Sequence, residues 1–262
     1  MFILVMKGYD ILGNIGVVKF GKGDSNTRKK REALLIMKSN KNITTVLEKT
    51  GKFSGRLRTL KTKHAAGINT KEALYKENGC IFRFNVDTCY FSPRLANERL
   101  EVAEMVKPGE RVLVMFGGIA PFAIVIGKLS EADEVVSIEL SRECNKYALE
   151  NVKRNKLQDE VEIIQGDVKK VLPKMKGKFD RIVMARPNLK DSFLDSAFPL
   201  IKKNGIIHYY GFYEENKVDE LKDLILNEAK KSKKKIKILK IKKAGDIGMR
   251  KYRYRVDINV LN

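Results

Sequence analysis

Val112-Leu113-Val114-Met115-Phe116-Gly117-Gly118-Ile119-Ala120-Pro121 is an apolar run that enters a glycine pair and a proline, and a helical stretch follows it to about Leu129. The reading is strand, loop, helix. The same rhythm returns downstream. Val135-Val136-Ser137-Ile138-Glu139 is a second strand, and Ser141 is placed to cap the helix after it, with Glu143 in the first turn at the positive end of the dipole. Cys144, Ala148 and Val152 recur on one face of that helix. Val161 to Ile164 is a third strand, ending at Gly166-Asp167. Arg181 to Met184 is a fourth, ending at Ala185-Arg186-Pro187, and Gly205 to Tyr210 is a fifth. Apolar strands alternating with amphipathic helices predict an α/β domain whose parallel sheet is covered on both faces.

The tail breaks the rhythm. A polar helix is expected over about Lys217 to Lys231. Two β-rich segments follow, Ile236 to Ile241 and Tyr252 to Val260, separated by Gly245-Asp246-Ile247-Gly248. So short a connection makes them antiparallel. A Rossmann-like α/β sheet closed by an antiparallel hairpin resembles the class I methyltransferases. The lysines interleaved with Ile236, Ile238 and Ile241 suit a protected edge strand.

Residues 1–105 read as a separate small α+β domain, basic on one surface, with 106–262 as the Rossmann-like domain. Tyr9-Asp10-Ile11-Leu12-Gly13-Asn14-Ile15-Gly16-Val17-Val18 suggests two strands around a Gly/Asn turn. Thr27 to Ser39 suggests a basic helix, and Phe82 to Asp87 alternates like a strand with one wet face. Arg56, Arg58, Lys61 and Lys63 form a basic stretch.

Charge narrows the partner. Of 262 residues, 53 are Lys or Arg and 32 are Asp or Glu, a formal net charge of 53 − 32 = +21. The sequence pI of about 9.8 suits a polyanion such as nucleic acid. The basic residues are spread along the chain, which disfavours a membrane surface. No window approaches the length of a spanning helix. Phe2 to Met6 is apolar but short, and lacks the flanks of a signal peptide. Cys80, Cys89 and Cys144 form neither a disulfide framework nor a CxxC pair, and His64 and His208 are far apart, so no metal site is expected. The expected compartment is the reducing cytoplasm, and the expected state is a monomer.

Ligands of open α/β sheets bind beyond the carboxyl ends of the strands. Gly117-Gly118 admits a ligand close to the backbone. Glu139 can accept both ribose hydroxyls, Asp167 can accept from an adenine amino group, and Pro187 follows the fourth strand, where the reacting part of a substrate sits. In this order they point to an adenosyl cofactor. No G-x-G-x-x-G follows the first strand and no G-x-x-x-x-G-K-[ST] is present, which disfavours NAD and ATP.

Tyr90-Phe91-Ser92-Pro93-Arg94-Leu95-Ala96-Asn97-Glu98-Arg99 resembles the FSPRL-x-x-ER motif of the archaeal and eukaryotic tRNA (guanine-37 N1)-methyltransferases. The resemblance runs along nearly the whole chain. It includes Tyr9 to Ile15, His64-Ala65-Ala66-Gly67, Lys76-Glu77-Asn78-Gly79-Cys80, Phe193-Leu194-Asp195 and Ile207-His208-Tyr209-Tyr210. The related wybutosine-pathway aminocarboxypropyl transferases share the fold but not the proline and arginine of this motif. The resemblance implies S-adenosyl-L-methionine as cofactor and the anticodon stem-loop of tRNA as partner. It implies Glu98 as general base, Arg58 as the guanidinium that steadies the guanine, and Tyr90 as an aromatic of the active site. Arg99, Glu139-Leu140 and Asp167-Val168 match cofactor contacts, and Phe116 opens the cofactor loop. N1 of guanine carries a proton at neutral pH, so a carboxylate must remove it as the methyl arrives, and a fixed guanidinium offsets the charge that moves to O6.

The chain departs from the family pattern at three places. Val114 stands where an Asp is usual. Ala120 replaces a glycine of the Phe-Ala-Gly-x-Gly-Pro loop. Ala185 replaces the asparagine of Asn-Leu-Pro. The resemblance also begins without the N-terminal domain of many archaeal members, whose loss should weaken contact with the distant body of the tRNA. Structural alternatives are a surface charge pair for Glu98 and Arg99, and phosphate contact for Arg58. Three functions stay open: methylation at guanine-37 N1, a wyosine-pathway methyl or aminocarboxypropyl transfer, and a catalytically silent tRNA-binding relative.

Overall fold

The computed structural model describes residues 8–185 and 191–262, and the chain divides into two units between Pro93 and Arg94. Pro187 lies outside the described residues. The division falls earlier than residue 105 because the helix Ala96–Glu104 packs on the helix Pro121–Leu129 of the second unit.

In the first unit, β1 (Tyr9–Leu12) and β2 (Ile15–Val18) form the expected hairpin, followed by α1 (Asn26–Ser39), β3 (Thr45–Lys49) and β4 (Thr62–Gly67). These strands make one sheet in the order β1-β2-β3-β4, with β2 and β3 parallel. Ser25 caps α1 by accepting from Arg28 N, and Ala33 and Ile36 turn inward to pack with Val18, Phe20, Ile43, Val46 and Ala66. The pair β5 (Glu72–Glu77) and β6 (Cys80–Asn85) is antiparallel. The alternation seen in Phe82 to Asp87 is real. Phe82 and Phe84 are buried, and the ring of Phe91 stacks against both of them and against Tyr75.

The second unit opens with α2 (Ala96–Glu104) and proceeds through β7 (Arg111–Met115), α3 (Pro121–Leu129), β8 (Glu134–Glu139), α4 (Arg142–Arg154), β9 (Val161–Gln165), α5 (Val168–Val171) and β10 (Phe179–Met184). After the undescribed residues come α6 (Leu194–Ala197), β11 (Ile201–Glu214), α7 (Val218–Lys231), β12 (Ile236–Gly248) and β13 (Lys251–Val260). Among the described residues these strands form a seven-stranded sheet in the order β12-β13-β11-β10-β7-β8-β9. The five strands from β11 to β9 are parallel, and β13 and β12 are antiparallel additions. The chain leaves β7 to one side for β8 and β9 and returns to its other side for β10 and β11. A switch point therefore lies at the carboxyl end of β7.

The hairpin differs from expectation in length. β12 continues through Gly245 to Gly248, with register shifts on the way, and turns at Met249-Arg250. β12 is the sheet edge, and lysines along it leave an edge poor in bare apolar backbone.

The two faces of β11 and β13 differ sharply. Ile207, Tyr209, Tyr254, Val256 and Ile258 face one way and join the core with Leu221 and Ile225 of α7. His208, Tyr210, Arg255 and Asp257 take the opposite face, because strand side chains alternate. No helix among the described residues is long and apolar enough to cross a membrane.

Candidate active site

The loop after β7 is held in an unusual backbone conformation. Phe116, Gly118 and Ala120 all have positive φ, at 63°, 59° and 64°. Gly117 N donates to Ile138 O at 2.8 Å, and Ala120 N to Gly117 O at 2.9 Å, which folds the loop back onto β8 before Pro121 starts α3. Ala120 thus keeps the left-handed geometry that a glycine would take without cost. Clusters of such residues mark functional loops more often than idle ones. Val114, the other departure nearby, is fully buried in the core.

Glu139 ends β8 and ties the neighbouring loop together. Its Oε2 accepts from Gly118 N at 2.8 Å and its Oε1 from Ser141 N at 2.7 Å. Its main-chain oxygen accepts from Gly166 N and from Asn145 Nδ2. One carboxylate therefore fixes the loops after β7 and β8, while its main chain reaches the loop after β9. Leu140 follows it, half-buried. Asp167 caps α5 by accepting from Lys169 N at 3.0 Å. Val168 is buried in the core, so only its backbone faces the loop. The ring of Phe116 meets Phe193 edge-on, with centroids 4.9 Å apart.

Glu98 and Arg99 lie in the first turn of α2 and are 4% and 1% exposed, so they are not a surface charge pair. Arg99 sits beside Phe122 at the start of α3, its Cζ 6.0 Å from the ring centroid. Glu98 faces the sheet. Its Oε1 accepts from Lys242 Nζ at 2.6 Å, and its Oε2 from Arg255 Nη1 at 2.9 Å and Tyr210 OH at 3.2 Å. Burial, and then the charge of Glu98, push the Tyr210 phenol well above its ordinary range, so it remains a donor. Tyr210 stands one residue beyond Tyr209, the partner of Met184 in the ladder. The phenol that reaches Glu98 therefore comes from a position one residue past the level of Met184, where β10 ends.

This carboxylate belongs to a buried network that sequence reading missed. Arg255 also donates to Glu101 from Nη2 at 2.6 Å and pairs with Asp257 through Nε at 2.9 Å. Asp257 Oδ1 meets His208 Nδ1 at 2.6 Å, and His208 Nε2 meets Arg181 Nη1 at 2.7 Å. A guanidinium can only donate, so Nε2 accepts and the single imidazole proton sits on Nδ1, donated to Asp257. Burial, which lowers the His208 pKa, agrees with this neutral form. Arg181 is closed off by Glu110 and the Met105 carbonyl. His208 is thus fully buried as a hydrogen-bonded link and not as apolar packing. The available signal was the alternation Arg253, Arg255, Asp257 along β13, opposite His208 and Tyr210.

Arg58 and Tyr90 belong to the first unit and meet each other. The Arg58 guanidinium lies 3.6 Å from the Tyr90 ring centroid, and Phe53 stands edge-on to Tyr90 at 5.1 Å. Arg58 sits at φ 53° in a tight loop closed by the Ser54–Thr59 bridge, in which Arg58 N donates to Gly55 O.

These features agree with what the chain is similar to. The family model described as the TRM5/TYW2 methyltransferase domain matches residues 73–239. The tRNA (guanine(37)-N(1))-methyltransferase Trm5b of Pyrococcus abyssi is 37% identical over 207 residues, covering 79% of this chain and 60% of the relative. This chain therefore spans about three-fifths of that relative's length. A relative from Nanoarchaeum equitans, tRNA (guanine(37)-N(1))/4-demethylwyosine(37)-methyltransferase Taw22, is 31% identical and is covered over 99% of its length by 97% of this chain. The crystal structure of Pyrococcus abyssi Trm5b superposes with a TM-score of 0.86 at 33% identity, over 98% of this chain and 76% of that one. A parallel sheet with a switch point at β7, a left-handed loop clasped by Glu139 and a domain match over most of the chain lead to one assignment: the chain belongs to the TRM5/TYW2 methyltransferase family.

Proposed function

We propose that the protein is an S-adenosyl-L-methionine-dependent tRNA methyltransferase that acts on N1 of guanosine 37. The observation that carries this reading is Glu98, a buried carboxylate held at the carboxyl end of β10 in a family of methyltransferases.

The residues at the switch point suit an adenosyl group. Gly117 and Gly118 present bare backbone, and Glu139 is already oriented by two main-chain N–H groups toward the same loops. Gly117, Gly118, Glu139 and Leu140 would hold the ribose and sulfur end, and Asp167 with the Val168 backbone the adenine. Phe116, Arg99 and Pro187 complete the expected set. When bound, the cofactor supplies a methyl group already activated as a sulfonium. Glu98 takes the N1 proton as the methyl arrives, and Tyr210 and Lys242 keep its oxygens aimed. Arg58 offsets the charge that collects on O6, and Tyr90 holds the guanidinium over its ring. The net charge of +21 favours tRNA through its phosphates.

Nucleoside mass spectrometry tests the reading. A tRNA transcript bearing guanosine 37, incubated with the protein and S-adenosylmethionine, should yield 1-methylguanosine. A second reading, methylation of a tricyclic wyosine precursor, is favoured by one observation. The relative whose length this chain matches is named for both activities. Transfer only to the tricyclic substrate would select it.

A further inference from the structure

Helix α2 begins without a side-chain cap. Its N-cap residue, Leu95, makes no such bond, and a 3-10 turn over Pro93–Leu95 leads into the helix. Glu98 nevertheless occupies one defined place. Lys242, Tyr210 and Arg255 hold it there, and of these Arg255 is the fully buried cation and engages three carboxylates. Nη1 donates to Glu98, Nη2 donates to Glu101 one turn further along the same helix and to Asp257 Oδ2 on its own strand, and Nε lies in ion-pair contact with Asp257 Oδ1. Two acids on one helix are thus gripped by one planar fork, whose rigidity transmits geometry as well as charge.

The fork is itself braced. Arg255 stands directly opposite Tyr210, and Asp257 directly opposite His208, in the β11–β13 ladder. His208 holds Asp257 from one side and is held by Arg181 from the other. The brace runs across three strands to Glu110. Lys242 closes the remaining side, pairing with both Glu98 and Glu101.

We propose that Arg255 is a positioning residue for methyl transfer: it sets the orientation of the Glu98 carboxylate, with Asp257 and His208 as its support. This rests on the reading of Glu98 as the base. A reacting group displaced by about 1 Å costs up to roughly a hundredfold in rate, so losing the fork while keeping the fold should slow the chemical step and leave binding alone.

A double-mutant cycle in single-turnover methyl transfer, using the full chain, S-adenosylmethionine and a tRNA transcript, tests this. Arg255→Gln should lower the rate about tenfold to a hundredfold, with tRNA and cofactor affinities within about twofold of the parent. Added to Glu98→Gln, it should cause no further loss, because its effect passes through that carboxylate. If Arg255→Gln does not fold, Arg255→Lys carries the same cycle. It keeps the buried charge but cannot bridge three acids, and should still be slow. An Arg255 variant at the parent rate, or one whose loss multiplies fully with that of Glu98→Gln, overturns the positioning role. Glu98→Gln at the parent rate overturns instead the reading of Glu98 itself.

Discussion

A Cβ placed on Gly117 would stand 2.1 Å from Ser137 Oγ, well inside any real contact, so the loop after β7 lies flush on β8 at this point. The serine is buried in the sheet and cannot swing away into solvent. Gly117→Ala should therefore displace the loop and lower S-adenosylmethionine affinity by at least about tenfold, with a loss of stability of roughly 1–3 kcal/mol from overpacking. Removing the obstructing oxygen provides the control. With Ser137→Ala, the next atom met is Ser137 Cβ at 3.4 Å. The double variant should recover most of the affinity in calorimetry. A double variant as weak as Gly117→Ala alone would mean that backbone freedom, and not this contact, requires the glycine.

Ala120 makes the opposite prediction. Its φ of 64° and ψ of 34° are left-handed, and its side chain is fully buried at the start of α3. An alanine there costs about 1–2 kcal/mol, partly offset by the entropy that a glycine loses on folding. Ala120→Gly should stabilise the protein by about 0.5–1 kcal/mol, a rise in melting temperature of roughly 1–4 °C. A lower melting temperature would show that the methyl group contributes packing that outweighs the backbone strain.

Acid stability should report the buried network. Burial works against the charge of Glu101, but hydrogen bonds from Arg255 and Lys242 overcome it and hold its pKa at about 2, against 4.5 unperturbed. A folded pKa below the unfolded one gives stability that is complete above about 4.5 and lost as pH falls toward 2. For a side chain 31% exposed, this is on the order of 2 kcal/mol after screening. Asp257 shifts the same way, its burial outweighed by His208 and Arg255. His208, lowered by burial, adds a loss that begins below about pH 6.5. Urea midpoints should thus fall progressively from pH 7 downward, and Glu101→Gln should flatten the limb below pH 4.5. An unchanged acid limb in that variant would remove Glu101 from the account.

Most of the second unit was legible because its signals are local. Strand runs, the Ser141 cap and the ends at Glu139 and Asp167 sit within a few residues of what they determine. The network around Glu98 was not legible, because Arg255 and Glu98 are 157 residues apart. Alternation along Lys251–Val260 shows that one face is polar, but whether that face is wet depends on α2, which comes from the other end of the unit. The boundary near residue 105 failed for the same reason. The unit that Ala96–Glu104 joins is decided by its packing on α3, which its own residues do not reveal. Ala120 is a third case. The alanine removes the glycine signal, yet the loop keeps the backbone conformation a glycine would have announced.

Both oxygens of Glu139 are already committed, to Gly118 N and Ser141 N. Its proposed service to a ribose therefore uses remaining lone pairs of a carboxylate that also shapes the loop. Replacement has two separable consequences. Glu139→Ala removes the acceptor and both loop bonds. It should cost about 1–3 kcal/mol of cofactor binding for the lost charged hydrogen bonds, and more if the loop opens. Glu139→Gln keeps one acceptor oxygen but turns an N–H toward the second main-chain N–H, so donor faces donor and the loop should loosen nearly as much. Amide hydrogen exchange at Gly118 reads the loop directly, without cofactor, and calorimetry reads binding. Both variants should exchange faster at Gly118 and bind S-adenosylmethionine at least about tenfold more weakly. If Glu139→Gln exchanges like the parent but binds poorly, the carboxylate acts on the ribose alone. If both variants bind with the parent's affinity, the cofactor lies elsewhere, and the placement across Gly117, Glu139 and Asp167 is wrong.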